Sequence, residues 1–292
     1  MNGAVLIDKP KGWTSHDVVN RWRKLAMSKR AGHLGTLDPM ATGLLVLVTG
    51  TATRLAQFYG KTDKTYLAEI TVGKISDTYD AEGQITEIAG ELPPDAAIAD
   101  ALQNFQGRFW QTPPPVSAKK VAGIPAYKLA RKQVPVELKP VEVEVKRLEI
   151  RSVAQAKITA LIQCSSGTYV RSIAHDLGQR LGCGALLSAL RRIASGEFTV
   201  ERARTLEDLR ELAERDRLAE AVIPSADLLP DLPAAYLDAA TEARVRAGND
   251  FRISPFVVTP GAPLVKALSY SGDLIAIGQL KIPNLYHPGT VL

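Results

Sequence analysis

Only two cysteines, Cys164 and Cys183, occur in 292 residues, which excludes a disulfide framework and fits reduced thiols in a cytosolic protein. The four histidines are scattered without metal-ligand spacing. No dinucleotide fingerprint or phosphate loop is present. No apolar run approaches the roughly 18 residues needed to span a bilayer. The early run Ala4 to Ile7 is too short for a signal-peptide core and is followed at once by Asp8-Lys9-Pro10. Internal repeats and low-complexity tracts are also missing. A soluble, cytoplasmic protein is expected.

What remains is ordinary globular composition: 46% hydrophobic and 23% charged residues. Length suggests a main domain with a smaller one attached. The opening AVLIDKPKGWTS reads as a short strand and a turn, with a helix started by Thr14 or Ser15 and an apolar face of Val18, Val19, Trp22, Leu25 and Ala26. GHLGTLDPMATG at 32–43 feeds LLVLV at 44–48, which has the length of a buried strand. In KTYLAEITVG, Tyr66, Ala68, Ile70 and Val72 share one face of an alternating strand. SDTYDAEG at 76–83 reads as a turn before a second short strand. Residues 156–164 alternate again and lead through SSGT to a helix with the stripe Val170, Ile173, Ala174, Leu177 and Leu181, closed by Gly182. TLED at Thr205 resembles a capping box opening a long helix. Residues 224–233, with three prolines, form the linker candidate, and short β-like pieces follow in 234–292.

Thirty-six basic against thirty-one acidic residues leave a net charge of +5, a weak indication by itself. Its distribution says more. Residues 101–136 contain no acidic residue but six cations, Arg108, Lys119, Lys120, Lys128, Arg131 and Lys132, interleaved with Phe105, Phe109, Trp110 and Tyr127. Cations engage phosphates and rings stack on unpaired bases, at roughly 1–3 kcal/mol each, so the window suits RNA. A second basic cluster, Arg21, Arg23, Lys24, Lys29 and Arg30, precedes GHLGTLDP. The alternative is a solvated basic surface over ordinary core aromatics.

Two residues carry local tension. Pro39 stiffens the chain after Asp38, yet Asp followed by Pro is also a common helix start, and spacing alone favours that cap. Arg171 sits in the first turn of a helix, where a cation opposes the dipole, and off the apolar stripe. Either an anionic partner compensates or the arginine is simply exposed. His33 lies too far from Asp38 along the chain to assume contact, Tyr66 alone reads as a core residue, and Tyr169 alone as an interfacial one.

Taken in order, LIDKPKGWTSHDVV, GHLGTLDPMATGLLVLVTG, KTYLAEITVG, QTPPPVSAKKVAGIPAYKLAR, GTYVRSIAHDLG and LRRIASGEF resemble the blocks of the TruB family of tRNA pseudouridine synthases, across most of residues 4–200. The tail resembles a bacterial PUA-like RNA-binding domain. The resemblance implies an α+β fold: a mixed, mainly antiparallel sheet flanked by helices, with a small β-rich C-terminal domain. Its expected boundaries are 1–223 for the catalytic domain, with 101–136 as an RNA-gripping insertion, 224–233 for the linker and 234–292 for the tail.

The implied activity is isomerisation of uridine 55 in the TΨC loop of tRNA, without cofactor or metal. By motif, Asp38 is the catalytic carboxylate and Arg171 its ion-pair partner. Tyr66 packs on the uracil and is a proton acceptor at C5, Tyr169 lines the pocket, Leu190 supplies an apolar wall, and His33 fills the gap left by the extruded base. Lys119, Lys120, Lys128, Arg131 and Lys132 would grip the tRNA. Asp38 attacking the sugar, attacking C6 or taking a sugar proton remain equal alternatives. A monomer without obligate protein partner or membrane contact is expected. The rival readings are a guide-RNA-dependent relative and a tRNA-folding chaperone whose chemistry is secondary.

Overall fold

The computed structural model describes residues 1–117, 119–121, 124–125, 138–258 and 261–292, with backbone alone at 120, 121, 124 and 125. Its centre is a ten-stranded mixed sheet. Along the main path the strands run Val222–Pro224, Gly3–Lys9, Thr42–Thr49, Ala185–Ser195, Lys64–Val72, Lys157–Cys164, Val141–Ala154 and Gly107–Gln111. Ala31–His33 and Phe198–Thr199 pair at the side. Within this sheet, the strand pairings among the described residues are antiparallel except one short parallel contact, Arg191 and Arg192 against Thr42 and Gly43. The fold is therefore the expected mixed, mainly antiparallel α+β type.

LLVLV is uninterrupted because both faces of its strand are covered. Leu45 and Leu47 join Val5 and Ile7 in a core with Trp22 of helix Ser15–Leu25 and Ile173 of helix Val170–Leu181. Leu44, Val46 and Val48 join Ala4 and Leu6 on the opposite face, against Ala52, Leu55 and Tyr59 of the 3-10 helix Gly50–Tyr59. The first helix starts as its sequence suggests: Thr14 and Asp17 form a reciprocal capping box. Thr205 and Asp208 form another, but the helix they open, Leu206–Glu214, has only nine residues and is not long. Leu209 is its one fully buried side chain, with Leu206, Leu212 and Ala213 packed beside it against the same core.

A second, five-stranded sheet starts at Ala234 and orders Ala234–Tyr236, Leu264–Leu268, Leu274–Ile282, Leu285–Val291 and Phe251–Arg252. Leu268, Leu274 and Ile277 of this sheet share a core with Leu44 and Leu55 of the first. The proline-rich connection 224–233 is no loose linker. Pro224 pairs with Gly3, and Leu228 is fully buried in that shared core. Ser225–Asp227 forms a 3-10 turn after Pro224, and Leu229 and Leu232 pack beside Leu228 against that core. No helix among the described residues is long and apolar enough to cross a membrane.

Candidate active site

Asp38 stands at the head of a tight turn. The Ala41 amide donates to the Asp38 carbonyl at 3.1 Å, and strand Thr42–Thr49 begins immediately. No helix follows, so the cap reading fails. Gly43 shows why: at φ +93° it brings the chain so close to the neighbouring strand that a Cβ would lie 2.3 Å from the Arg192 carbonyl oxygen. The chain is committed to strand pairing, and Pro39 stiffens a turn instead.

The first sequence block buttresses that turn. Lys9, fully buried, donates through Nζ to the carbonyls of Trp13 at 2.7 Å, Pro10 at 2.9 Å and Pro39 at 3.2 Å. The Gly12 amide donates to the same Pro39 oxygen at 2.8 Å. Ser15 Oγ donates to the Leu37 carbonyl at 3.0 Å and accepts from the Leu37 amide at 2.8 Å. Burial lowers the Lys9 ammonium to about 8, partly offset by Glu82 and Asp38.

Arg171 supplies the charge partner. Its Nη2 donates to Asp38 Oδ1 at 3.1 Å; Nε lies 2.9 Å from Oδ2, with its N–H directed off that line. The same guanidinium reaches Asp80 Oδ2 at 3.3 Å and donates to the carbonyls of Val116 at 3.0 Å and Thr78 at 3.2 Å. Its side chain is 5% exposed, so the reading of an exposed arginine is wrong. Two carboxylates and two carbonyls compensate for its place at a helix N-terminus.

Asp80 was not singled out in the sequence. It is held by a loop in which Tyr79 adopts a left-handed φ of 65° and stacks on His175, rings 3.7 Å apart and 8° from parallel. Thr78 Oγ1 donates to Asp80 Oδ1 at 2.6 Å. An acidic residue in SDTYDAEG was the available signal, but no local pattern distinguishes it from a turn former.

Burial pushes the Asp38 carboxyl above the ordinary aspartate range; the Arg171 charge opposes this, Asp80 adds to it, and the Arg171 hydrogen bond and Lys9 oppose it again. Arg171 thus favours the ionised form as expected, yet it moderates the effect of burial without reversing it. A third of the Asp38 side chain remains open, toward a cavity of about 400 Å³. That is within the roughly 300–1,000 Å³ typical of ligand pockets.

The cavity walls include His33, Asp38, Tyr66, Tyr169, Arg171 and Leu190, bringing together six residues scattered over 158 positions of the chain. Tyr66 and Leu190 come from adjacent antiparallel strands, with Leu190 opposite Ala68 and Arg192 opposite Tyr66. All four side chains therefore share one sheet face. Tyr169 caps the helix end beside Arg171 and is fixed by Gln111, which accepts from its amide at 2.8 Å and donates to its carbonyl at 3.0 Å. His33 ends a short strand, with a buried Nδ1 that has no hydrogen-bond partner among the described residues, and burial lowers its pKa, assisted by Arg192 and His16.

Arg192 and Lys64 also line the cavity and were missed. For Arg192 a signal existed: it lies two residues beyond Leu190, on the same strand face. Of the expected RNA-binding cations, Lys119 borders a shallow pocket beside Ser166, Gly167 and Tyr169. Lys128, Arg131 and Lys132 lie outside the described residues, as does the side chain of Lys120.

Comparison with known proteins matches residues 23–170 to the N-terminal domain of TruB family pseudouridylate synthases and 171–230 to the C-terminal domain of tRNA pseudouridylate synthase B. A curated relative from Solibacter usitatus, named tRNA pseudouridine synthase B, is 51% identical over the whole of both chains. One of the same name from Aquifex aeolicus is 42% identical over 96% of each. Among solved structures, a Cbf5-Nop10-Gar1 complex contains a chain with TM-score 0.71 and 27% identity, over 97% of this chain and 79% of that one. The chain belongs to the TruB family and is a pseudouridine synthase.

Proposed function

We propose that this chain isomerises uridine 55 in the TΨC loop of tRNA to pseudouridine, acting on the tRNA alone. A cavity with one open carboxylate, paired to a buried arginine and facing an aromatic and an apolar wall, carries the reading. A base within a folded loop cannot bring its glycosidic bond to Asp38, so the nucleoside is flipped out at a cost of a few kcal/mol. Stacking on Tyr66, contact with Leu190 and insertion of His33 into the vacated space offset that cost.

Attack on the sugar, attack on C6 and removal of a sugar proton all require Asp38 ionised and aimed, and Arg171 serves both needs. Tyr66 takes the proton from C5 after the ring has turned and rejoined the sugar. The basic window 101–136 grips the tRNA elbow, and the sheet starting at Ala234 is a PUA-like second contact. Full-length similarity to the curated relatives supports the stand-alone form over a guide-dependent one.

The test is mass-spectrometric mapping of pseudouridine in a bare tRNA transcript incubated with purified protein. We expect a single product at position 55. Asp38→Asn should abolish it while leaving tRNA affinity within a few-fold. Activity only with a guide RNA and accessory proteins would overturn the stand-alone reading, and loss of affinity instead of turnover would make Asp38 structural.

A further inference from the structure

Each conspicuous arginine near the cavity has a carboxylate, except one. Arg171 has Asp38 and Asp80, and Arg191 holds Asp8 with two hydrogen bonds of 3.0 and 2.7 Å. Arg192 is 1% exposed, yet no carboxylate among the described residues forms an ion pair with it. Among the described residues its guanidinium donates to backbone carbonyls: Nε to Leu44 at 2.7 Å, Nη2 to Gly35 at 3.2 Å and Nη1 to Thr36 at 3.5 Å. Tying the Gly35–Thr36 loop to a strand needs donors, but it does not need a charge. Burying an uncompensated cation is costly, so the charge itself calls for a use.

That use faces Arg192 across the sheet. Tyr66 is its direct antiparallel partner, on the same face and in the same cavity wall. Side chains so placed have Cβ atoms about 5 Å apart. The other charged or titratable groups around Tyr66 are Lys64, two residues earlier on the same face, Cys164 opposite Lys64 on the next strand, and Asp38, Arg171, His33 and Tyr169 in the walls of the shared cavity. Burial pushes the Tyr66 phenol up; Arg192 is the largest influence pulling it down, while Cys164 and Asp38 push it up further.

We propose that Arg192 is a positioning residue for the reaction, supplying the buried positive charge beside which the Tyr66 oxygen works as an anion. The inference rests on Tyr66 being the proton acceptor. Once C5 is bonded to the sugar carbon, the C5–H bond breaks: the proton goes to the Tyr66 oxygen, and the electron pair restores the C5=C6 double bond. N1, which left the sugar with its bonding pair, takes a proton from solvent, and Tyr66 returns its own to solvent. One proton has moved from C5 to N1 and nothing is oxidised. Without a neighbouring cation, a buried phenolate is strongly disfavoured.

The test uses the full chain and measures single-turnover tritium release from tRNA labelled at uridine C5. Arg192→Gln should slow release about 10–100-fold at neutral pH, equivalent to one or two units of acidity at the phenol. Placing 3-fluorotyrosine, a more acidic phenol, at position 66 should restore Arg192→Gln at least several-fold and accelerate the parent less. Arg192→Lys, which keeps the charge but not the fork, should stay within about tenfold of the parent, each unit of acidity being a factor of ten.

A folded Arg192→Gln protein that fluorination does not rescue would overturn the proposal. If that variant fails to fold, Arg192→Lys carries the decision: slow release unaffected by fluorination would leave Arg192 only the tie to Gly35 and Thr36. Undiminished tritium release by Tyr66→Phe would instead refute Tyr66 as acceptor, a failure visible in the parent background without touching Arg192.

Discussion

Replacing Arg171 by methionine separates its electrostatic role from its scaffolding role. The substitution removes one guanidinium from between Asp38, at 2.9 Å, and Asp80, at 3.3 Å. An adjacent cation ordinarily lowers a carboxyl by about 1–3 pH units, so its loss should raise Asp38 by that much from a value burial has already elevated. The acid limb of the single-turnover rate should therefore move up by about 1–3 units, and the variant should regain part of its lost rate as pH rises. Breaking a buried pair by removing one partner costs about 3–5 kcal/mol. That destabilisation is full where both carboxylates are ionised and lessens as pH falls and Asp38 takes a proton. Arg171→Lys retains the charge, and its acid limb should stay within about one unit of the parent. Tritium release from C5-labelled tRNA across pH, with urea denaturation in parallel, measures both effects. A rate lowered equally at every pH, with the limb unmoved, would refute the electrostatic argument and leave Arg171 as a brace for the Thr78 and Val116 carbonyls.

Lys9 carries a pH signature of its own. Because its folded-state value is about 8 against 10.5 in the unfolded chain, the unfolded state binds more protons between those limits, so stability rises with pH across that window by roughly 3 kcal/mol. Urea denaturation of Lys9→Met should show that increment missing relative to the parent, and equal pH dependence in the two would contradict it. In the basic window, changing Lys119, Lys120, Arg131 and Lys132 to glutamine should weaken tRNA binding and flatten the plot of log affinity against log salt by about 3. An unchanged slope in a filter-binding titration would remove the segment from the RNA interface.

The legible part of this chain was what depends on local repetition. Alternation in KTYLAEITVG put Tyr66 on the buried face, and Thr14 and Gly182 marked helix ends that the structure retains. The six motif blocks together picked out Asp38, Tyr66, Tyr169, Arg171, Leu190 and His33, which the fold assembles around one cavity. What local pattern misjudged is instructive. Asp38-Pro39 has the composition of a helix start, but the close approach of Gly43 to Arg192 and the hydrogen bonds of Lys9 and Gly12 to the Pro39 carbonyl hold it as a turn. Asp80 was invisible because its role is defined by Arg171, 91 positions away, and by a left-handed Tyr79 that no propensity announces. In the connection 224–233 the prolines alone gave no sign of packing, yet Leu228 is fully buried.

The charges around the cavity are arranged for a reaction with no net change of charge. On one side, Arg171 lies between two carboxylates, Asp38 and Asp80, with the Lys9 ammonium behind the Asp38 turn. On the other, Arg192 is unmatched and Lys64 stands near it, its ammonium lowered by burial and by Arg192. Pairing Arg192 with a carboxylate would stabilise the fold in isolation, but it would cancel the field at Tyr66. Moving a third carboxylate to Arg171 would protonate one of the three and blunt Asp38. An isomerase that cleaves a bond at one edge of a pyrimidine and takes a proton from another needs both signs kept apart across a ring's width. Strand pairing provides this separation: Tyr66 and Arg192 are fixed in register on the sheet, while Asp38 is held on a turn by Lys9 and Ser15.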